Sequence, residues 1–198
     1  MIENSESQDT IPGKESLIEK SLNVEVQGLP YVFRIRFLEK TKDVKLSLHL
    51  PNWEKELPHI ESEMQRQARE VGWRPISSEI LLASQGMVGW INGSASRHRN
   101  ADVMLTNIES ITGKLPKDSK YKDAKGIGRF LMNNFMALMD LKRWSVTASP
   151  STSGRLTDKD IYAWNERLGF PPENTVEDYI RKPQQPNMSQ PIIRLLNS

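Results

Sequence analysis

The sequence predicts a mixed α/β (α+β) domain with a twisted, mostly antiparallel sheet, one βαβ unit and flanking helices. Two observations carry this prediction. Apolar and polar residues alternate along Tyr31–Leu38 and Val44–Leu50, which is the period of half-buried strands. Farther along, a strand pattern at Asp102–Ile111 is followed by a helical pattern and another strand, and this order favours one parallel pair joined by a right-handed crossover.

Length and composition restrict the class of protein. The chain has 198 residues, of which 37% are hydrophobic and 26% charged, and its net charge is +2. This balance fits one soluble domain. No apolar run approaches the ~20 residues of a membrane span, and the polar N-terminus carries no secretory signal, so we expect a cytoplasmic protein without a membrane partner. Because cysteine is absent, disulfides, a thiolate nucleophile and Cys-based metal sites are excluded.

We expect three segments. Residues 1–20 are rich in Ser, Glu, Asp and Lys and predict a flexible tail, residues 21–182 predict the folded domain, and residues 183–198 predict a Pro/Gln-rich tail or a last strand. The apolar run Ile192–Leu196 is expected to form that last strand. Alternatively, this run docks on a partner.

In the front half, the two strands are followed by a helix from Trp53 to about Trp73, divided at Pro58. A hairpin then joins Ser78–Ser84 to Met87–Ile91, and Asn92–Gly93 begins a loop. The strand Asp102–Ile111 is expected to place alternate residues on one face, namely Val103, Leu105, Asn107, Glu109 and Ile111.

In the back half, the loop Thr112–Lys125 holds five lysines and two aspartates, and the strongest helical pattern of the chain runs over Gly126–Arg143. A strand at Trp144–Ser149 and a helix from Asp158 to Leu168 follow. The helix start, Lys125-Gly-Ile-Gly-Arg-Phe-Leu, predicts an anion site, because the first amides of a helix lack intrahelical partners and glycine lets a phosphate approach the backbone. A plain helix start behind a solvated lysine loop is the alternative from these residues alone.

Two motifs together resemble the GNAT superfamily of acetyl-CoA-dependent N-acetyltransferases. One is the glycine-containing helix start at Gly126 and Gly128, which is similar to the family's R/Q-x-x-G-x-G/A loop. The other is Asn165-Glu-Arg-Leu-Gly-Phe170, which resembles the ending "YEKLGF" of the family's next helix. The resemblance covers about Asp102 to Phe170, and a strand lies between the motifs as it does in the family.

The resemblance implies an activity and a set of site residues. It implies transfer of an acetyl group from acetyl-CoA to a primary amine of a small molecule or protein, with Glu109 as the base and no metal. The tyrosine that protonates the leaving thiolate falls on Asn165, and Tyr162 is the nearby substitute. The residues implied for coenzyme binding are Ser110, Ile111, Lys125, Gly126, Ile127, Gly128, Arg129 and Phe130.

Two residues depart from the family pattern. Asp123 stands at the R/Q position, where a cation or amide is expected, and Asn165 cannot act as a general acid at neutral pH. These departures leave a second hypothesis open, a catalytically inactive GNAT-like binding or structural module. A third is a nucleic-acid-binding accessory protein that uses the lysine loop, and we rank it last because only Tyr121 offers an aromatic there. Self-association is left open.

Overall fold

The computed structural model describes residues 17–53, 66, 86–97, 100–115, 117–148 and 180–197. Within this part of the chain, seven strands form one sheet in the order of the sequence. Neighbouring strands are antiparallel except β5 and β6, which are parallel. The strands are β1 (Leu17–Val26), β2 (Leu29–Leu38), β3 (Asp43–His49), β4 (Met87–Ala95), β5 (Val103–Ser110), β6 (Val146–Ala148) and β7 (Ile180–Arg181).

Two α-helices belong to the described residues: α1 spans Ile127–Lys142 and α2 spans Pro191–Asn197, while Thr112–Lys114 forms a 3₁₀ turn. The mixed α/β class, the mostly antiparallel sheet and the parallel strand–helix–strand unit β5–α1–β6 are therefore confirmed. Neither helix is long and apolar enough to cross a membrane.

Helix α1 covers one face of the sheet, here called the helix face. The alternation along β2 places Tyr31, Phe33, Ile35 and Phe37 on this face and buries all four. Phe33 meets Phe130 of α1 edge-on, with ring centroids 5.3 Å apart. The opposite face, here called the second face, carries the polar half of β2, as the alternation predicts.

Two glycines of β4 let α1 lie close to the sheet. A Cβ atom on Gly89 would stand 2.4 Å from Cγ2 of Ile127, and one on Gly93 would stand 2.7 Å from the ring of Phe135. Real Cβ atoms do not tolerate such contacts. Gly93 was predicted to lie in a loop, which was wrong: it lies within β4, where its missing side chain makes room for the helix.

The predicted single face of β5 was also wrong. Residue Thr106 has no opposite residue on β4, because Asn107 pairs with Asn92 while Leu105 pairs with Gly93. This bulge shifts the alternation by one residue. Asn107 and Glu109 therefore lie on the second face, whereas Val103 contacts Gly93 on the helix face.

Both ends of the described chain differ from expectation. Strand β1 begins at Leu17, so the last four residues of the segment expected to be a tail belong to the sheet. Ile192–Leu196 was expected to form a last strand and instead lies in α2, with Ile192, Ile193 and Leu195 buried. Pro191, the first residue of α2, explains this, because its fixed φ suits a helix start and its missing N–H costs a ladder bond in a strand.

Several predicted elements fall outside the described residues. These are most of the helix Trp53–Trp73, the strand Ser78–Ser84, and the helix from Asp158 to Leu168. Of the first helix only Trp53 and Arg66 are described, and both are helical.

Helix α1 ends as its basic terminus predicts. Arg143 adopts a left-handed φ of 58°, and Trp144 N–H donates to the carbonyl of Met139 in a Schellman motif.

Two buried polar side chains of α1 hold the C-terminal segment. Asp140 accepts two hydrogen bonds from the guanidinium of Arg181, at 2.6 and 2.8 Å, and a third from Gln184 N–H at 2.8 Å. Asn134 accepts a bond from Ile192 N–H at 2.9 Å. Asp140 and Arg181 are 4% and 3% exposed, so the ion pair lies inside the protein.

We expect Arg181→Met to lower the free energy of unfolding by about 3–5 kcal/mol, because it leaves the Asp140 carboxylate buried without its cation. The double variant Asp140→Leu/Arg181→Met should recover most of this loss, since no buried charge remains. Urea unfolding at pH 7 measures both changes.

Glu39→Gln is the matched control for this prediction. It breaks the pair between Glu39 and Lys142, in which the Glu39 side chain is 55% exposed, and should cost less than about 1 kcal/mol. A loss in Arg181→Met no larger than the loss in Glu39→Gln would contradict the stabilising role of the buried pair.

Candidate functional site

The start of α1 is an uncapped helix terminus. Gly126 is the N-cap residue and adopts a left-handed φ of 83°, and its carbonyl accepts the first helical bond from Phe130 N–H at 2.8 Å. In the described part of the chain no side chain caps the helix, and its first turn holds no acidic residue. The leading amides and the helix dipole thus present a partial positive charge that no side chain of the described residues caps.

Gly128 is the unusual residue of this first turn. Its φ is not positive, and among the described residues a Cβ atom there would meet only Cδ1 of Ile108, at 3.9 Å, which is an ordinary contact. Glycine in a helix is less favourable than alanine by about 1 kcal/mol. Within the described part of the chain, neither backbone conformation nor packing therefore accounts for a glycine here, whereas φ requires one at Gly126.

Of the other residues predicted to bind the coenzyme, some lie in the core and some on the surface. Ile127 and Ile111 are each 1% exposed, so only their backbone groups could meet a ligand. Phe130 is half-buried against Phe33, as described above. Lys125 and Arg129 are exposed beside the helix start and supply positive charge next to the uncapped amides.

The loop that precedes α1 is fixed to the sheet by a tyrosine. Tyr121 is buried, its ring lies 5.3 Å from that of Tyr31, and its hydroxyl donates to the carbonyl of Pro30 at 3.1 Å. Lys117 and Lys120 remain exposed in the same loop. The loop is therefore anchored, and its exposed lysines add positive charge to the segment that leads into the helix start.

Asp123, the departure from the family's loop, has a local structural explanation. It is exposed and adopts a left-handed φ of 56°, a conformation that aspartate tolerates better than most residues. Its amide donates to the carbonyl of Thr112 at 3.2 Å.

Strand β5 extends beyond its parallel partner. β6 pairs with Val103, Met104 and Leu105, and among the described residues it has no partner for the last five residues of β5, Thr106–Ser110. Ser110 is exposed at the end of this segment, and its hydroxyl lies 3.3 Å from that of Thr112. The backbone edge of β5 is thus open within the described chain, and Ile108 on it adjoins Gly128.

The structure places Glu109 on this same open segment. Glu109 is exposed and lies opposite Trp90, on the second face, while the first turn of α1 lies on the helix face. The two parts of the predicted site are therefore on either side of the open β5 edge. Asn165 and Tyr162, the other predicted catalytic residues, lie outside the described residues.

One neighbour of the site was missed by sequence analysis. The two-residue turn between β1 and β2 comprises Gln27 and Gly28, both with positive φ, and Cγ of Gln27 lies 3.0 Å from the Cβ position of Gly126. No local pattern connects positions 27 and 126, because the contact depends on how the sheet curves. The Gln-Gly pair, suited to a type I′ turn, was the available signal for the hairpin alone.

Comparisons with known proteins returned no match to a family model, to a curated protein or to a solved structure. The described residues hold no group of three or more His, Asp or Glu side chains arranged to bind a metal ion.

We expect Tyr31→Phe to remove a pH-dependent loss of stability. Burial raises the pKa of Tyr31 to about 12, with the neighbouring Tyr121 adding to it, against an ordinary value of about 10. Above pH 10 the unfolded chain releases this proton while the folded protein retains it, so stability should fall by about 2 kcal/mol between pH 10 and 12. Urea unfolding of the wild type and the variant across this range measures the difference.

The two tyrosines also provide a matched pair at pH 8. Among described residues the Tyr31 hydroxyl has no hydrogen-bond partner, so Tyr31→Phe should not destabilise the protein there. Tyr121→Phe loses the bond to Pro30 and should cost about 1 kcal/mol. An alkaline stability loss that persists unchanged in Tyr31→Phe would contradict the assignment.

Proposed function

We propose that this protein is a GNAT-like N-acetyltransferase that transfers an acetyl group from acetyl-CoA to a primary amine. The observation that carries the proposal is Gly128, a glycine in the first turn of α1 that neither φ nor packing against the described residues requires, at a helix start that these residues leave uncapped. A phosphate that approaches the helix backbone closely would account for it, since a Cβ atom would stand in the way.

The arrangement around this glycine supports acetyl-CoA as the ligand. The amides of the first turn would receive the pyrophosphate, and the exposed cations Lys125 and Arg129 would lie beside it. The open edge of β5 would pair with the amide groups of the pantetheine arm, ending near Ser110 and Ile111. The parallel β5–β6 pair flanking α1 agrees with the fold that the family resemblance implies.

Glu109 would act as the base of the reaction. The acceptor amine would enter from the second face, and Glu109 would take its proton, through a water molecule in the usual family mechanism. The nitrogen would attack the thioester carbonyl, forming the amide bond as the carbon–sulfur bond breaks. The thiolate has a reference pKa near 8.5 and would take its proton from solvent where no acid is placed, so Asn165 does not exclude turnover.

The inactive module remains the second candidate. It is favoured by Asp123, whose carboxylate stands near the helix start where the family has a cation or amide. The inactive module predicts weak or absent coenzyme binding and no turnover, whereas the acetyltransferase predicts both binding and turnover. The nucleic-acid alternative has less support, because Tyr121 is buried against Tyr31 and so is not available to stack on bases.

We expect Gly128→Ala to raise the stability of the free protein by up to about 1 kcal/mol and to weaken acetyl-CoA binding at least tenfold. The first effect follows from helix propensity, and the second from the Cβ atom in the path of the phosphate. Thermal unfolding with and without acetyl-CoA measures both. For the wild type, a ligand at about a hundred times its dissociation constant adds roughly 2.7 kcal/mol, or several degrees.

Gly113→Ala is the matched control, because a Cβ atom there makes only an ordinary contact with Asp123, at 3.5 Å. Its acetyl-CoA-dependent shift should equal that of the wild type, and ATP should give a smaller shift than acetyl-CoA in all three proteins. A full acetyl-CoA shift in Gly128→Ala, or none in the wild type, would contradict the proposed site.

We expect Glu109→Gln to lower kcat about a hundredfold or more and to leave acetyl-CoA affinity unchanged, because it removes a base without touching the coenzyme. A panel of free amino acids, polyamines, aminosugars and lysine peptides supplies the acceptor, and release of free thiol reports turnover. The protein contributes no thiol background, since it contains no cysteine.

Glu25→Gln, an exposed carboxylate of β1, serves as the control and should retain full activity. An unchanged rate and pH profile in Glu109→Gln would remove this residue from the mechanism. Coenzyme binding by the wild type without turnover on any acceptor of the panel would instead favour the inactive module.

A further inference from the structure

We propose that a cleft on the second face of β1–β3 binds an oxyanion, namely a carboxylate or phosphate group of a small molecule. The cleft has a volume of about 490 Å³ and lies on the side of the sheet away from α1. It is therefore distinct from the helix start, and the proposal does not depend on acetyl-CoA binding there.

Four cations line this cleft from adjacent strands, beginning with Lys20 on β1. Arg34 and Arg36 project from the second face of β2, and Lys45 lies directly opposite Arg36 on β3. Like charges that face each other across a ladder are destabilising. Among the described lining residues only Glu19 is acidic, so the lining has a surplus of positive charge.

The ion pairs of the cleft leave most of this charge available. Glu19 approaches Arg36 at 3.3 Å, and both side chains are about 60% exposed, so this pair is weak and screened by solvent. In the described part of the chain, the side chains of Arg34 and Lys45 make no hydrogen bond or ion pair. These two cations therefore stand in one cleft without a side-chain partner among the described residues.

The inner surface of the cleft contains two polar side chains. Ser47 and His49 lie on β3 beside the cations, each is 5% exposed, and Ser47 Oγ lies 2.9 Å from His49 Nε2. Ile35 and Met87 supply the apolar part of the lining. An oxyanion held by Arg34 and Lys45 would lie beside the Ser47 and His49 side chains.

The cleft also has a defined position relative to Glu109. Arg34, Ser47, Trp90 and Glu109 occupy successive places in one row across β2–β5. Three strand spacings separate the ends of this row, roughly 14 Å. If the acetyltransferase proposal also holds, the acceptor is an amine that carries an acidic group at about this distance.

Citrate and inorganic phosphate are the probes, titrated into the full chain at constant ionic strength without acetyl-CoA. We expect at least one of them to bind saturably. Calorimetry and the Nε–Hε NMR signals of the arginines measure this binding. Arg34→Gln and Lys45→Gln should each weaken binding at least tenfold. The preferred probe decides between a carboxylate and a phosphate ligand.

Lys40→Gln is the control for charge alone, because Lys40 is exposed in the β2–β3 turn away from the cleft lining. Its affinity for both probes should equal that of the wild type. Binding at the helix start is distinguished by Lys125→Gln, which should weaken only a phosphate signal that Arg34→Gln leaves unchanged. The proposal is overturned if the wild type binds neither probe, if Lys40→Gln weakens binding as much as Arg34→Gln, or if Lys125→Gln weakens binding while Arg34→Gln does not. Unfolding curves check that each variant is folded.

Discussion

The close contact between α1 and β4 is the constraint on which the rest of the structure depends. Gly89 receives the side chain of Ile127, and Gly93 receives the ring of Phe135, so the helix is fixed on the sheet at two points. Because Ile127 is the first helical residue, the first contact fixes the helix start relative to the open edge of β5. Well-packed contacts of this kind permit little sliding. The geometry of the proposed coenzyme site therefore follows from two absent side chains on a neighbouring strand.

The other half of α1 is fixed by polar contacts instead of close packing. Asn134 and Asp140 are buried, which is costly unless their hydrogen bonds are made, and the C-terminal segment makes them. The C-terminal segment is held in place by α1, and α1 in turn depends on the C-terminal segment. Without the residues around Arg181 and Ile192, the helix would carry an unpaired charge and an unpaired amide oxygen in its buried surface, so residues 180–197 complete the core.

Periodicity predicted the elements that bury one face and expose the other. It identified β2, β3 and α1 because their apolar positions repeat without interruption. It missed β1, an edge strand whose first residues include Glu19 and Lys20. It also misassigned Gly93, because in the sequence a glycine that makes room for a helix cannot be distinguished from a glycine in a turn. The helix start was predicted from local glycines. The Tyr31–Tyr121 contact, the Gln27 turn and the row from Arg34 to Glu109 could not be predicted, since they join residues far apart in the chain.

Glycines around α1 illustrate what a structure adds to such a pattern. In the sequence, Gly89, Gly126 and Gly128 cannot be distinguished. Each could belong to a turn, cap a helix or contact a ligand. In the structure, Gly89 is required by Ile127 and Gly126 by its positive φ. Gly128 is required by neither, although it costs helix stability. A destabilising residue without a structural reason is typical of a functional site, where stability is exchanged for access to a ligand. The lysines nearby indicate that this ligand is negatively charged, and the uncapped amides indicate where it would bind.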